Sequence, residues 1–465
     1  MLTGVLLVAL IACGRVGGRT ADGEPATSTP GAAGTPDAPG VATSQLVPAD
    51  IIVILENGLR SDLGNEKGAE AAFFDGIEQK PLAVYSQATV QSVNPFLSIG
   101  SMLTGRYPSA IPLCSQPTLK AGAEPIWCMR FPATVPTLPE VLGVYGYQTL
   151  LATTQPHARE HAVLAEEFGT TIVGGTGVDG LAGLVDQVSQ WWIAAAGQPR
   201  FVVLADDMVV GLAAVAAPHN NPDERPKLLE AYKAAAGSRG KVLARAVRAF
   251  SDVPPSRSTW VFVTAAHGVS LLETSGTPNM PLQPVQHDIL LDRTLHVPLA
   301  VYGTESVHVA SETNEVTEGV DLFPTIARLA NVMAPVGLAG ADLLDPATFR
   351  GEPRYGYAEF GDMLAIRSRT HLLMARLWMH GGTALDPEIT TRLMQRSRLG
   401  STFALHDVST DPMQHHDVVK ADEATARTLY AALAQRRTGP GSPPDRGLTE
   451  AQVAALRASG ALNYW

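Results

Sequence analysis

Short apolar runs rich in β-branched residues recur along the chain, each followed by a turn and then by a stretch with helical spacing. Asp50 to Leu55, DIIVIL, has the pattern of a parallel strand buried on both faces. TLPEVLGVYGYQTLLAT, residues 137 to 153, predicts a helix, a stop at Gly146 and a strand from about Gln148. FVVLA (201 to 205), WVFVTA and HVPLAVYG (296 to 303) predict further strands, with helices at 230 to 250 and at DLFPTIARLA, 321 to 330. Strands alternating with helices imply an α/β fold: a mostly parallel sheet with helices on both faces. Beyond Tyr355 the runs shorten. YGYAEF, LAIRS and HLLMARLWM predict a small C-terminal antiparallel subdomain, followed by a helix at 421 to 435. A capping box from Thr449 to Gln452 opens one last short helix.

One of these runs ends in an unusual way. VFVTAAHGVS, residues 261 to 270, stops at a turn of small residues that carries a single histidine, His267. The carboxyl end of such a strand is where open α/β sheets place their ligands. The residues delivered there, Ala265 and Ala266, have no chemistry of their own.

Length and composition bound the rest. The chain has 465 residues, long enough for one large α/β domain or two of ordinary size, and its 45 % hydrophobic content supports a real core. Its formal net charge of -11 and its lack of a basic stripe argue against nucleic acid as a partner. The first residues, MLTGVLLVALIAC, are too short an apolar run to span a bilayer and suit the core of a signal peptide. Leu10-Ile11-Ala12-Cys13 resembles a bacterial lipobox, which implies lipidation at Cys13; a plain secretory signal cut near Ala12 is the alternative, and the usual positive residues ahead of the run are missing. Residues 14 to 47 are rich in Gly, Ala, Pro, Ser and Thr and read as a tether rather than a packed segment. The layout expected is therefore signal and lipobox 1–13, tether 14–47, α/β core 48–350, C-terminal subdomain 351–435 and tail 436–465. Lipidation would anchor the protein to a membrane of the bacterial cell envelope, facing the periplasm or the outer surface. In that oxidising setting Cys114 and Cys128 form one disulfide closing a local loop, worth about 3 kcal/mol in the chain-entropy model, or else stay as two separate thiols.

Several stretches, taken in order, resemble the sulfatase-like branch of the alkaline phosphatase superfamily. DIIVILENGLRSD is similar to its first strand and turn, SIGSMLTGRYPS to the helix behind its nucleophile, and TLPEVLGVYGYQT to its next helix and strand. VTAAHG, LHVPLAVYG, GVDLFPTIARLA and LHDVSTDP follow in the family's order, over about residues 50 to 417. The resemblance implies hydrolysis of sulfate or phosphate esters with a metal-bound nucleophile. A divalent metal held by oxygen ligands needs carboxylates, and it activates the nucleophile and neutralises the ester oxygens.

Mapped onto this chain, that chemistry is missing in four places. The first metal-binding aspartate matches Asn57, preceded by Glu56, whose side chain should point to the other side of the strand. The nucleophile position matches Pro95 and its arginine Ile99, where Asn94-Pro95 reads simply as a helix start; a shifted register offers Ser92. The Asp-His-Gly of the family matches Ala266-His267-Gly268. Of a further motif near residues 203 to 208 only Asp206 remains, unless Pro218-His219 is its displaced end, and the helix that usually reads Tyr-Asp-x-Glu runs Tyr232-Lys233-Ala234-Ala235. His287 matches a sulfate-contacting histidine if one residue is deleted, and His296 stands where relatives have His or Arg.

The reading this supports is an envelope lipoprotein of sulfatase-like fold without activity, a pseudoenzyme that binds or scaffolds. Its partners would be the membrane through the lipid, and a protein or a sulfated or phosphorylated ligand; the resemblance implies a monomer. No cofactor is expected. The alternative is an atypical ester hydrolase using Ser92, His267 and His287, with Asn57 and His267 near a divalent metal (Ca, Mg, Mn or Zn). A structural lipoprotein with no ligand is a third class.

Overall fold

The computed structural model describes residues 47–61, 68–111, 131, 134–154, 163–208, 225–251, 257–271, 284–286, 290–304, 312–360, 363–376 and 403–438. Its centre is an eight-stranded sheet. The strands are β1 (Asp50–Asn57), β2 (Ala83–Thr89), β3 (Gln148–Thr154), β4 (Thr170–Gly174), β5 (Arg200–Asp207), β6 (Thr259–Thr264), β9 (Ala300–Gly303) and β10 (Glu312–Glu318), in the order β10-β2-β9-β6-β1-β5-β3-β4. All run the same way except β9, which is antiparallel to both β2 and β6. β7 (Ser270–Leu271) and β8 (Pro284–Gln286) form a separate pair.

Every residue of β1 and of β5 is buried, as continuous apolar runs require when helices cover both faces of a parallel sheet. One face carries α1 (Ala69–Ile77), α4 (Gly177–Ala194) and α5 (Arg225–Ser251). α2 (Pro95–Thr104), α3 (Leu138–Val144) and α7 (Leu322–Leu329) contact one another and pack on the side chains of Val53, Leu55 and Val203. α6 (Asp292–Leu295) is a single turn leading to β9. Local chemistry sets the starts of these helices. Asn94 Oδ1 accepts the Leu97 N–H at 3.1 Å with Pro95 in the first turn, and Glu140 closes the cap of α3 by accepting the Thr137 N–H at 2.9 Å. α1 and α5 touch through glycine: a Cβ on Gly240 would stand 2.1 Å from the Phe73 carbonyl oxygen. That contact fixes the neighbouring Arg239 against the strand ends.

The C-terminal sheet is antiparallel, β11 (Gly356–Phe360), β12 (Met363–Arg367), β13 (His371–Arg376) and β14 (Phe403–Asp407) in sequence order, with α8 (Glu423–Thr438) against it. Arg367 ties it to the core. This buried guanidinium meets Asp292 Oδ1 at 2.5 Å, Gln87 Oε1 at 2.8 Å and His296 Nδ1 at 3.3 Å.

The expected strand at 296 to 303 is shorter than its apolar pattern. Regular pairing begins only at Ala300, because Pro298 has no N–H to give and His296 makes just an isolated bridge to Thr89. The helix expected at 230 to 250 starts earlier, at Arg225, and the one at 421 to 435 runs over Glu423–Thr438. The helix opened by Thr449 lies outside the described residues.

Candidate functional site

The parallel strands deliver their carboxyl ends to one edge of the sheet, where Asn57, Asp207 and the Ala266-His267-Gly268 turn come together. The turn is knotted to the end of β1. Asn57 Oδ1 accepts the Ala266 N–H at 3.0 Å, and the Gly58 N–H donates to the His267 carbonyl at 2.9 Å. The Asn57 carbonyl in turn accepts the Met208 N–H at 3.2 Å, which adds the end of β5. Asn57 and Ala266 are at most 1 % exposed.

Small residues at 265 to 268 have a packing reason. A Cβ on Gly268 would stand 2.2 Å from the Arg293 carbonyl oxygen, and the Gly268 N–H donates to the Thr294 carbonyl at 2.9 Å, so α6 lies directly on this turn. The Nδ1–H of His267 donates to the Gly268 carbonyl at 2.7 Å. Here the histidine helps hold the turn.

α5 closes the site from its own side. The Tyr232 hydroxyl accepts the Arg60 N–H at 3.0 Å and donates to the Gly58 carbonyl at 2.8 Å. Arg60 lies across the Tyr232 ring, 5.9 Å from its centre, and its Nη1 donates to the Val269 carbonyl at 3.2 Å. Two turns further along the same helix face, Arg239 Nε reaches Asp206 Oδ2 at 2.7 Å and Glu56 Oε1 at 3.4 Å. The Thr154 hydroxyl donates to the other Asp206 oxygen.

Glu56 is the least compensated of these groups. It is fully buried, and neither of its oxygens has a donor in hydrogen-bond geometry. Burial first, then the neighbouring Asp206 charge, push its carboxyl well above the usual range against the pull of Arg239. At the same edge burial and Arg367 hold His296 below the usual range, and its Nε2–H donates to the Ser86 carbonyl at 2.8 Å. Burial works against Asp292, but Arg367 and His296 outweigh it and keep that carboxyl well below the usual range.

The residues singled out by sequence meet only in part. Asn57 and His267 are joined through the backbone and through Ala266. Ser92 is buried at the entry to α2, where its hydroxyl accepts the Asn94 N–H at 3.3 Å and its carbonyl accepts the Ser98 hydroxyl at 2.6 Å. His287, Cys13, Cys114 and Cys128 lie outside the described residues. Glu56 does face away from Asn57, as strand alternation requires, and its partners Asp206 and Arg239 were out of reach of sequence spacing. The i, i+7 placement of Tyr232 and Arg239 on one helix was the available signal.

A hard divalent cation would need several oxygen donors, some of them charged. Asn57 Oδ1 already holds the Ala266 N–H, Ala266 has no donor, and Asp206 and Glu56 face Arg239. Among the described residues no group of three or more His, Cys, Asp and Glu side chains is arranged to hold a metal. The described residues do not fit the cation.

The architecture defines a sulfatase-like fold: a large, mostly parallel sheet between helices with a separate four-stranded antiparallel sheet. Its structural neighbours are sulfatases and a phosphonate monoester hydrolase. A 2-O GAG sulfatase superposes with a TM-score of 0.60 at 16 % identity, over 84 % of this chain and 92 % of its own. The phosphonate monoester hydrolase of Agrobacterium radiobacter gives 0.57 at 14 %, over 84 % and 95 %. A protein solved with its substrate D-glucosamine-2-N,6-O-disulfate gives 0.54 at 13 %, over 85 % and 99 %. No protein-family model and no curated protein matches the sequence.

Proposed function

We propose that this chain is a cell-envelope lipoprotein, anchored through a lipid on Cys13, in which a sulfatase-like fold binds or scaffolds and does not hydrolyse esters. The observation that carries this reading is the Asn57 to Ala266 hydrogen bond. Where the resemblance puts two metal-binding carboxylates, an amide oxygen and a backbone N–H satisfy each other at 3.0 Å. Pro95 at the nucleophile position supports it, because proline has no group that can attack an ester, and Ser92 spends its hydroxyl on the turn before α2. The occupant would be a protein or a sulfated or phosphorylated ligand, held without chemistry. Among the described residues no helix is long and apolar enough to cross a membrane, so attachment in this reading falls to the lipid.

The test is metal content and turnover of the purified full chain. The expected result is no stoichiometric Ca, Mg, Mn or Zn after dialysis, and no hydrolysis of aryl sulfates or aryl phosphates above buffer. Turnover that disappears in Ser92→Ala and His267→Ala, with folding intact by circular dichroism, would overturn the proposal in favour of the atypical hydrolase.

A further inference from the structure

The exposed large hydrophobic side chains are not scattered. Among the described residues there are seven: Val47, Val144, Tyr145, Val173, Ile193, Met333 and Val336. Val47, Val144, Tyr145, Ile193 and Met333 all fall at the end of the sheet opposite the candidate site, and Val336 is three residues on from Met333.

Hydrogen bonds place the first five at one end. The Ala49 N–H donates to the Leu329 carbonyl at 3.2 Å, which brings the start of β1 to the end of α7 and to the loop bearing Met333. The Tyr147 hydroxyl donates to the Ala49 carbonyl at 2.7 Å, two residues from Tyr145. The Asp50 N–H donates to the Ser258 carbonyl at 2.8 Å, and Arg257 beside it donates to the Ala196 and Gly197 carbonyls, three and four residues from Ile193. The loops themselves carry no charge. GVYGY (143–147), IAAAGQ (193–198) and NVMAPVGL (331–338) contain no Asp, Glu, Lys or Arg in a chain where such residues make up 17 %. Of the nearby arginines, Arg328 is matched by Asp342 at 2.6 Å and Arg248 by Glu78 at 3.4 Å, while Arg257 and Arg106 donate to loop carbonyls, Arg106 to that of Val336 at 3.4 Å.

This is also the end from which the chain leads back to Cys13, since Val47 precedes β1 at its start. A lipid anchor alone does not choose which face of the domain settles on a surface, so the surface chemistry decides. Loops with protruding Met, Ile and Val, a tyrosine at their margin and arginines bonded to their carbonyls suit the boundary between headgroups and acyl chains. We propose that this end of the sheet docks on a phospholipid bilayer, which leaves the opposite edge, with Asn57 and His267, facing away from the membrane. The anchor in this proposal rests on the lipoprotein reading above; the docking face rests on the loops.

The experiment places one added tryptophan at either end of the full-length chain on phosphatidylcholine vesicles with or without brominated acyl chains. Met333 is 80 % exposed, so Met333→Trp leaves the core untouched. Thr410→Trp is the control, on an exposed turn whose neighbours Met413 and Gln414 bond to Arg293 and Asp292 beside the candidate site. With the parent's own emission subtracted, brominated vesicles should quench the tryptophan at 333 and leave that at 410 unchanged. Equal emission at 333 on both vesicles, or quenching at 410 instead, overturns the docking face. Intact mass of Cys13 reports separately on the lipoprotein reading. If Cys13 proves unmodified, that reading falls, and the same variants mixed with preformed vesicles still decide the docking face by the same quenching.

Discussion

Arg239→Met removes the guanidinium that faces Glu56 and Asp206 while keeping most of the side-chain volume. Arg239 Nε stands 2.7 Å from Asp206 and 3.4 Å from Glu56, with none of the three side chains more than 5 % exposed. Glu56, already displaced toward its neutral form, loses the charge that opposed that displacement, whereas Asp206 loses the guanidinium and keeps the Thr154 hydroxyl. Losing one partner of a buried ion pair costs about 3–5 kcal/mol, against a typical total of about 5–15 kcal/mol. Asp206→Asn in the same chain removes the stranded charge and should recover about 1–3 kcal/mol. The assay is urea unfolding at pH 7 followed by both far-ultraviolet circular dichroism and tryptophan fluorescence, since coincident transitions justify a single free energy. Stability should fall in the order parent, Asp206→Asn/Arg239→Met, Arg239→Met. If the single and double variants unfold at the same urea concentration, the charge of Asp206 is compensated elsewhere and the reasoning fails.

Three further outcomes follow from the same edge of the sheet. Glu56 has a folded-state pKa raised above its ordinary 4.5, so its contribution is complete below that value and erodes as pH rises through the folded value. Glu56→Gln cannot ionise and should gain on the parent as pH rises above 4.5; a difference that stays flat with pH would count against the raised carboxyl. Arg367→Met should cost about 3–5 kcal/mol at pH 7 by stranding Asp292. Because Asp292 is held below its ordinary 3.8, its stabilising effect is present above that value and is lost as pH falls further, so the gap between parent and variant should narrow in acid; a gap independent of pH would refute the pairing. Ala266→Asp restores a family carboxylate at a fully buried position with no cation to meet it, and should lower stability by about 2–5 kcal/mol whether or not calcium or magnesium is added. Recovery of the melting temperature on adding either metal would show that the donor set fits after all.

Local signals carried the elements that sequence made legible. β1, β5 and β6 announce themselves as unbroken apolar runs, and α2 and α3 by Asn94-Pro95 and by Thr137 with Glu140. α4 went unread although Leu181, Leu184, Val185, Val188 and Trp192 keep helical spacing, because the glycines among them blur the pattern. β2 and β10 mix Ser, Gln, Thr and Glu into their runs, since β10 is a sheet edge and the polar side chains find partners across the pair, as Thr89 does with the Thr317 carbonyl. At the site Asn57 and the Ala266 turn could be read directly as the residues at two strand ends. Their partners could not. Joining Glu56 to Asp206 needs β5 beside β1 in register, and joining both to Arg239 needs the pitch of α5, set by its contact with Phe73 at Gly240.

Direct hydrogen bonds hold the strand ends together. The Ala266 to Asn57 and Gly58 to His267 bonds join the ends of β1 and β6, and Tyr232 binds α5 to the turn through Gly58 and Arg60. At about 0.5–1.5 kcal/mol net each, these four bonds contribute roughly 2–6 kcal/mol, a sizeable share of a domain's stability. Each bond also matters for its own polar groups: losing Asn57 Oδ1 as acceptor would leave the buried Ala266 N–H unpaired, at a cost of about 1–3 kcal/mol. A carboxylate placed at 266 enters a fully buried position, so it weakens the turn that these bonds close.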